Sequence, residues 1–458
     1  MKKIVLFSSV LALVLFSCGT TKNVVDTQRT TEKTSHQKSS SSLPFPHNDG
    51  AYQEAYSWRR NKEDATMIQI KNSNIDSLRY SSVDRYVSEV VRKINSTARS
   101  DFERAKMAHD IIALTISYDA ENFWRGTIPA QDYASVLARG TAVCEGFSNT
   151  FKHFCDVLGI PCRVVHGYAR GVGTKAGNES SSYKSNHAWN IITIKGRQYQ
   201  IDCTWDEGFL QGRGSVKDYS TVWLFAQPEC FIYTHFPDFA ADQLLSRPLS
   251  YSAFLQLPSL RPNFFDAVAS VSDFKVINRC NGTFSLSFTE RSGQALSCTI
   301  KEDGGSEFVK NADFAKRNGE TSQMLFSLPK ATQYNIKLFQ KNADMDESRY
   351  CGEFYLNATA TSSVRFPQTF TNYGIENDGV VIAPIEAPLV RGKSYTFTVQ
   401  SRYNDVALVI NSQWTYLKND GTGTFSAEAT IPFDAEKVSL NVKNASGKYW
   451  SIASYDLQ

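Results

Sequence analysis

The chain has 458 residues, of which 41% are hydrophobic, 12% aromatic and 21% charged. This length allows roughly two to four domains, and the apolar content is enough for a sizeable core, which excludes a wholly disordered scaffold. The net charge is only +3 and no basic run is interleaved with aromatic residues, so neither feature predicts a nucleic-acid partner.

The amino terminus predicts export. An apolar stretch from Ile4 to Phe16 follows two lysines and is too short for a comfortable transmembrane span. The junction Leu15-Phe16-Ser17-Cys18-Gly19 resembles the lipobox of bacterial lipoproteins, in which cleavage leaves a lipidated cysteine as the first residue. The resemblance implies a signal peptide over 1–17 and lipidation of Cys18. The protein would then be anchored to a membrane of the cell envelope, on the periplasmic side or at the cell surface. An ordinary cleaved signal peptide is the alternative.

Residues 18–80 give little sign of regular structure. Residues 20–42 consist largely of Thr, Ser, Lys and Gln, a composition typical of a disordered tether. Residues 43–80 are mixed and have no clear hydrophobic period, so we expect an irregular lead-in to the folded part.

Helical periodicity begins after residue 80 and predicts three helices. We expect Asp101 to cap the second helix. The third runs from about Val143 to Leu158, where Gly159 ends it and Pro161 prevents a restart. The apolar faces are formed by Val83, Val87, Val90, Val91 and Ile94, by Phe102, Ala105, Ala108, Ile111, Ile112 and Thr115, and by Phe147, Phe151, Phe154, Cys155 and Leu158.

The pattern then changes to the period of two that is typical of strands. It predicts strands over 162–167, 187–194 and 198–202, with a glycine- and serine-rich loop over 171–185. Lys195-Gly196 is a plausible hairpin turn between the last two strands. A helix-rich half followed by an antiparallel sheet indicates an α+β domain, which we place at 81–268.

The remaining sequence predicts two β-sandwich modules, at 269–360 and 361–458. Short alternating segments are separated by turn sequences, and no long helical pattern is present. Such modules are candidates for binding protein or glycan. The clearest strands are Thr283–Phe288, Tyr334–Phe339, Tyr395–Val399, Val406–Ile410 and Val438–Val442.

Three residues of the α+β domain have the chemistry of a nucleophilic cysteine site, which needs a thiolate, an adjacent base and a group that orients the base. Cys144 lies at the predicted start of a helix, where the helix dipole and free N–H groups favour a thiolate and can stabilise an oxyanion. His187 begins one strand and Asp202 ends the next. A hairpin can place these two side chains opposite each other, with the carboxylate holding the ring.

These residues lie in a series of short motifs. The motifs are Val143-Cys-Glu-Gly-Phe147, Leu158-Gly-Ile-Pro-Cys162, Val165-His-Gly-Tyr-Ala169, Asn186-His-Ala-Trp-Asn190 and Ile201-Asp-Cys-Thr-Trp-Asp206. They resemble the transglutaminase-like superfamily, and the resemblance implies a papain-like fold, with helices packed on an antiparallel sheet, and a catalytic triad of Cys144, His187 and Asp202. The following stretch resembles the kyphoscoliosis-peptidase branch of that superfamily, through Trp223-Leu-Phe-Ala226, Thr234-His-Phe-Pro237, Gln243-Leu-Leu245 and Phe254-Leu-Gln-Leu-Pro258. The resemblance covers about residues 81–265.

The sequence departs from the family at three points. Glu145 follows the nucleophile, where animal transglutaminases have tryptophan, and their calcium sites have no counterpart here. Asp242 precedes Gln243, where an aromatic residue is expected. The first two departures argue against assuming protein cross-linking.

Several nearby side chains have competing interpretations. His166 is either core or a neighbour of the site, with core favoured, and His235 is expected to be structural. Asp206 is a second candidate for the orienting carboxylate. The substrate-cleft candidates are Gln131, as an oxyanion donor, together with Glu145, Trp189 and Trp205, although both tryptophans can equally be core residues.

We therefore predict a cysteine enzyme that acts on amides of a protein or peptide through a thioacyl intermediate, and we favour a hydrolase of the peptidase type. The alternatives are a transglutaminase or deamidase, a cell-wall amidase, and a non-catalytic lipoprotein that binds through its β modules. No C-x-x-C pair or H-E-x-x-H motif is present, so no metal or other cofactor is expected.

Overall fold

The structure is a computed structural model. It describes residues 43–46, 50–59, 62–171, 174–318, 321–342, 345, 347–370, 379–444 and 446–458. The predicted signal peptide, Cys18 and the tether lie outside the described residues. In the described chain no helix is long and apolar enough to cross a membrane.

Helices are concentrated in the first half of the described chain. Two 3₁₀ turns, at Leu78–Tyr80 and Ala240–Gln243, accompany them. The helices are α1 (Gly50–Ser57), α2 (Ala65–Lys71), α3 (Asn74–Ser77), α4 (Val83–Thr97), α5 (Asp101–Thr115), α6 (Ala120–Arg125), α7 (Tyr133–Arg139), α8 (Cys144–Leu158), α9 (Cys203–Glu207), α10 (Pro228–Phe231), α11 (Tyr251–Phe254) and α12 (Pro262–Ala267).

The expectation of an irregular lead-in over 43–80 was wrong. Helices α1, α2 and α3 lie there, and Tyr52, Met67 and Ile70 are buried in the same hydrophobic cluster as Phe102. Asp64 caps α2 by accepting hydrogen bonds from two backbone N–H groups of its first turn. These helices are too short for a hydrophobic period to be recognised in the sequence.

The three predicted helices are present as α4, α5 and α8, but the cap of α5 differs from the prediction. Ser100, and not Asp101, has the extended backbone of a cap residue, and its hydroxyl accepts a hydrogen bond from the Glu103 N–H at 3.2 Å. The Glu103 carboxylate accepts a hydrogen bond in return from the Arg99 N–H at 2.6 Å. Asp101 is already helical and therefore cannot act as the cap.

The α+β domain contains a five-stranded antiparallel sheet of order β8-β5-β4-β3-β9, against which α8 packs. The predicted turn between β4 and β5 is present. Lys195 has φ 51° and Gly196 has φ 76°, as a two-residue hairpin of matching twist requires. The strands of this domain are β1 (Ser117–Tyr118), β2 (Thr141–Ala142), β3 (Cys162–Ala169), β4 (His187–Ile194), β5 (Arg197–Ile201), β6 (Gly208–Gln211), β7 (Gly214–Lys217), β8 (Leu224–Ala226) and β9 (His235–Pro237).

The first β module packs one sheet, formed by β10, β12, β14, β17 and β18, against another, formed by β11, β13, β15 and β16. The module was predicted to begin at residue 269, but β10, which lies before that residue, already pairs with β18 of the module. Its strands are β10 (Ser259–Leu260), β11 (Val268–Val271), β12 (Ile277–Cys280), β13 (Thr283–Glu290), β14 (Gln294–Glu302), β15 (Asp313–Asn318), β16 (Thr321–Ser327), β17 (Gln333–Asn342) and β18 (Arg349–Ala358).

The second β module has two sheets of order β19-β27-β26-β22-β23 and β20-β21-β25-β24 around their own hydrophobic cluster. The predicted α+β core followed by two β-sandwich modules is confirmed. The strands of the second module are β19 (Gln368–Thr369), β20 (Gly379–Ala383), β21 (Ser394–Ser401), β22 (Val406–Ile410), β23 (Gln413–Tyr416), β24 (Lys418–Asn419), β25 (Thr424–Thr430), β26 (Val438–Lys443) and β27 (Tyr449–Tyr455).

A buried arginine ties the α+β domain to the segment that leads into the first module. Arg170 follows β3, and its Nε donates to Glu179 Oε1 at 2.7 Å, with both side chains only 1% exposed. The remaining guanidinium nitrogens donate to backbone carbonyls at the end of α11 and before β9. The acceptors are the carbonyl oxygens of Tyr233, Phe254, Leu257 and Pro258.

We expect Arg170→Met to lower the free energy of unfolding by about 3–5 kcal/mol, because it leaves the buried Glu179 carboxylate unpaired. The double variant with Glu179→Gln should recover part of the loss. Urea denaturation followed by circular dichroism measures both. Arg92→Met, which breaks an exposed ion pair on α4, is the matched control and should change little. Equal unfolding midpoints for the Arg170 and Arg92 variants would contradict this assignment.

Candidate active site

Cys144 is the first residue of α8, as predicted. The turn before Cys144 is held in place by β2, which pairs in parallel with β1 and ends two residues before the cysteine. Val143 is extended and takes the cap position without a side-chain cap. The thiol is therefore beside the N–H groups of a helix start, where a thiolate and a developing oxyanion are both stabilised.

Gln131 supports this turn. Its Oε1 accepts a hydrogen bond from the Val143 N–H at 3.0 Å, and its Nε2 donates to the Pro129 carbonyl at 2.9 Å. A Cβ atom on Gly146 would lie 2.4 Å from Gln131 Oε1, so the close approach requires glycine there. Both ends of the Gln131 amide thus bond to backbone groups beside the turn, and one N–H of its Nε2 is left over. Its role as an oxyanion donor stays a prediction.

The structure brings His187 and Asp202 together, with His187 Nε2 at 2.7 Å from Asp202 Oδ2. His187 is the first residue of β4, and Asp202 directly follows β5, its hairpin partner. Asp202 was expected to end the strand. It is instead the N-cap of α9, where its Oδ1 accepts hydrogen bonds from the N–H groups of Thr204 at 2.9 Å and Trp205 at 3.2 Å.

His235 also donates to Asp202, with its Nε2 at 3.1 Å from Oδ2. Burial lowers the pKa of His235 to about 4, so the ring is neutral. Its Nδ1 accepts a hydrogen bond from the Thr234 hydroxyl at 2.9 Å, which fixes the tautomer that donates through Nε2. The sequence assigned His235 a structural role. The structure makes it a direct partner of the orienting carboxylate.

The charges in this cluster follow from its burial. Burial alone would raise the pKa of Asp202, but the charge of His187 and the hydrogen bonds from both histidines hold it well below its usual range. Burial likewise disfavours the charged His187 ring, yet Asp202 and Cys144 outweigh it and raise the pKa of His187 to about 10. These interactions favour the protonated form of the His187 ring.

The two tryptophans predicted to line the cleft differ. Trp189 is fully buried in a small cluster with Trp223 and Phe231, so it is a core residue and not a cleft wall. Trp205 is partly exposed, and its ring centroid lies 5.5 Å from that of His187. Trp205 therefore remains in a position to contact a substrate.

Glu145 and His166 form a pair beside the nucleophile. His166 Nε2 lies 2.8 Å from Glu145 Oε2, and the two side chains are 51% and 33% exposed. The preference for His166 as a core residue was therefore wrong, because it is an outward-facing residue of β3. Their hydrogen bond raises the pKa of His166 and lowers that of Glu145, which favours an ion pair next to the thiol.

Asp206, the second candidate for orienting the base, belongs to a separate buried network. Its Oδ2 lies 3.2 Å from His109 Nε2, while His109 Nδ1 lies 3.0 Å from Asp110 Oδ1. Burial opposes the charge on His109, but the two carboxylates raise its pKa to about 9. Sequence reasoning missed His109 and Asp110, because α5 is buried on nearly all sides and its hydrophobic period does not show which polar residues pair with distant segments.

His187, Asp202 and His235 also have the residue types of a metal site, with potential ligand atoms within 4.8 Å of one another. Both histidines, however, direct Nε2 at the same Asp202 oxygen. Their contacts are those of a hydrogen-bonded cluster in which a proton occupies each N–O axis.

Comparisons with known proteins agree with this geometry. Residues 88–203 match the family model described as the transglutaminase-like superfamily, a span that contains the cysteine, the base and the orienting carboxylate. Kyphoscoliosis peptidase of Mus musculus is 27% identical over 243 residues, which cover 52% of this chain and 37% of the relative. The protein of the same name from Homo sapiens is 28% identical over 211 residues, covering 44% and 31%.

A third relative is the Lim and transglutaminase domain protein ltd-1 of Caenorhabditis elegans. It is 27% identical over 236 residues, which cover 48% of this chain and 31% of the relative. The chain thus matches about a third of the length of these curated relatives. The family model lies within the α+β domain.

We expect His235→Phe to slow alkylation of Cys144 by about tenfold, because Asp202 loses a charge-assisted hydrogen bond and no longer fixes His187. His235→Gln keeps an amide donor and should lose less. The readout is the rate of iodoacetamide labelling at pH 7, located by mass spectrometry. His153→Phe, on α8, is the matched control. Equal rates in the Phe and Gln variants would show that His235 only fills space.

Proposed function

We propose that the transglutaminase-like domain of this chain is a cysteine acyl-transfer enzyme that hydrolyses amide bonds of a protein or peptide. The observation that supports this most directly is the His187–Asp202 hydrogen bond, together with the position of Cys144 as the first residue of α8. Members of this superfamily usually transfer acyl groups through a cysteine. The peptide substrate and the hydrolytic outcome are our proposal.

The geometry supports a two-step reaction. In the first step the Cys144 sulfur attacks the amide carbonyl carbon, and N–H groups of the first turn of α8 stabilise the oxyanion. As the C–N bond breaks, the His187 imidazolium gives its proton to the leaving amine. A thioester on Cys144 and a free amine result.

In the second step water attacks the thioester carbonyl. The neutral His187 ring accepts a proton from the water, and the C–S bond breaks to release a carboxylic acid and regenerate the thiolate–imidazolium pair. Asp202 stays ionised throughout, since its carboxylate is held by four hydrogen bonds. An amine in place of water would give a new amide, so the product distinguishes hydrolysis from transamidation.

Cys144 should be the thiol that iodoacetamide labels fastest near neutral pH, because an imidazolium and a helix start favour its thiolate. Burial raises the pKa of six other thiols, which should label slowly: Cys155, Cys203, Cys230, Cys280, Cys298 and Cys351. Cys144→Ala should abolish turnover of peptide substrates with an unchanged melting temperature, and Cys280→Ala is the control. Full turnover by Cys144→Ala would falsify the nucleophile assignment.

Asp202→Asn should lower the pKa of His187 from about 10 towards the ordinary value of about 6.5. The substitution removes the main interaction that raises this pKa, while burial, which lowers it, remains. NMR titration of the ring measures the shift, and kcat should fall on the order of 10³–10⁴-fold. An unchanged His187 titration in the variant would contradict the role of Asp202.

We also propose that the protein is anchored to a membrane of the cell envelope through lipid on Cys18, on the strength of the lipobox-like sequence Leu15–Gly19. Several acyl chains make a stable anchor without a transmembrane helix. Cys18→Ser should move the protein from the membrane to the soluble fraction of the cell. Unchanged fractionation of this variant would refute the anchor.

A further inference from the structure

A group of aromatic side chains lies exposed on the second β module, far along the chain from the cysteine site. Trp414 and Tyr416 are on β23, the edge strand of its sheet, and Tyr449 begins β27. We call these three residues the aromatic platform. Trp414 is 45% exposed and Tyr416 is 59% exposed. Exposed apolar side chains that form a contiguous patch mark a candidate interaction site.

The three rings form one surface. The ring centroids of Trp414 and Tyr449 are 4.8 Å apart, and the centroid of Tyr416 is 6.5 Å from that of Trp414 and 6.4 Å from that of Tyr449. These spacings are those of aromatic rings in direct contact. The rings therefore hold one another in place and would pay little conformational entropy when a ligand binds.

Strand register shows what lies beneath the rings. Tyr416 is opposite Ala407 of β22, which is opposite Asn441 of β26, and residues opposite each other share a face of the sheet. Ser439 is two residues from Asn441, and the Asn441 amide donates to its hydroxyl at 3.0 Å. The central strands thus supply two apolar and two polar side chains to this face, Ala407, Val409, Ser439 and Asn441, between the flanking strands that carry the rings.

Charge on the platform is balanced. Lys443 is opposite Tyr449, with its ammonium 5.9 Å from the ring centroid, and it forms an ion pair with Asp405 at 3.0 Å. Both charged side chains are more than a third exposed. The site therefore combines flat apolar surfaces with hydrogen-bonding groups and has little net charge.

We propose that the aromatic platform binds a neutral polysaccharide. A sugar ring has a face of C–H groups, which pack against electron-rich aromatic faces, and a rim of hydroxyl groups, which bond to polar side chains such as Lys443 and Asp405. The paired charges disfavour a polyanion, because phosphate binding needs uncompensated cations. This inference does not depend on the proposed hydrolase.

A protein partner fits this surface less well. Stable protein interfaces bury about 800 Å² on each side around an apolar core from which charges are depleted. Here, in the part of the chain that the structure describes, the exposed large apolar side chains of this face are rings, and a solvated ion pair stands beside them. Shape and polarity together favour a chain of sugar rings.

The test is affinity electrophoresis of the full chain in native gels containing one of five neutral polysaccharides: mixed-linkage β-glucan, xyloglucan, galactomannan, laminarin or amylose. We expect at least one to retard the protein. Trp414→Ala should weaken that retardation by about tenfold in apparent Kd, and Tyr416→Ala should also weaken it. Because both side chains are half exposed, these variants should keep the melting temperature of the parent.

Phe433→Ala is the matched control, since Phe433 is 84% exposed on the same module and packs near Gly392 instead of the platform. It should leave retardation unchanged. The proposal is overturned if none of the five polysaccharides retards the chain. In that case a protein becomes the candidate ligand of the aromatic platform. It is also overturned if Trp414→Ala and Phe433→Ala are retarded equally.

Discussion

The candidate active site depends on one buried carboxylate. Asp202 is fully buried and can remain ionised only because its oxygens accept four hydrogen bonds, two from backbone N–H groups of α9 and two from histidine rings. The same carboxylate therefore starts a helix and fixes the base. Its charge also raises the pKa of His187. Cys144 lies at the N-terminus of α8 in the same site.

Each partner of Asp202 comes from a different element, so the site requires the whole α+β domain. The hairpin of β4 and β5 brings His187 within reach, β9 carries His235, and α8 packs on the sheet with the thiol at its start. Gln131 adds a fourth connection through the turn before α8. Such a cluster is rigid because no member can move without leaving a buried polar group unpaired.

The first β module joins this domain through a shared hydrophobic cluster. Arg170 leaves the sheet of the α+β domain and bonds to carbonyls that precede β10, the first strand of the next module. A hydrolase held beside a polysaccharide by the second module would meet its substrates in a glycan-rich layer. If both proposals hold, the aromatic platform would determine where the protein works, and the cysteine site would determine what it cleaves.

The sequence by itself determined the elements whose signals are local. Neighbouring residues were enough to predict helix α8 and its end at Gly159, the turn at Lys195-Gly196 and the alternating strands of the β modules. Tertiary structure alone decided which polar groups are buried together. His109 of α5 meets Asp206 of α9 only in the folded chain, and His235 became a donor to Asp202 because β9 lies beside β3. Burial and pairing across distant segments set these roles, and no local period encodes them.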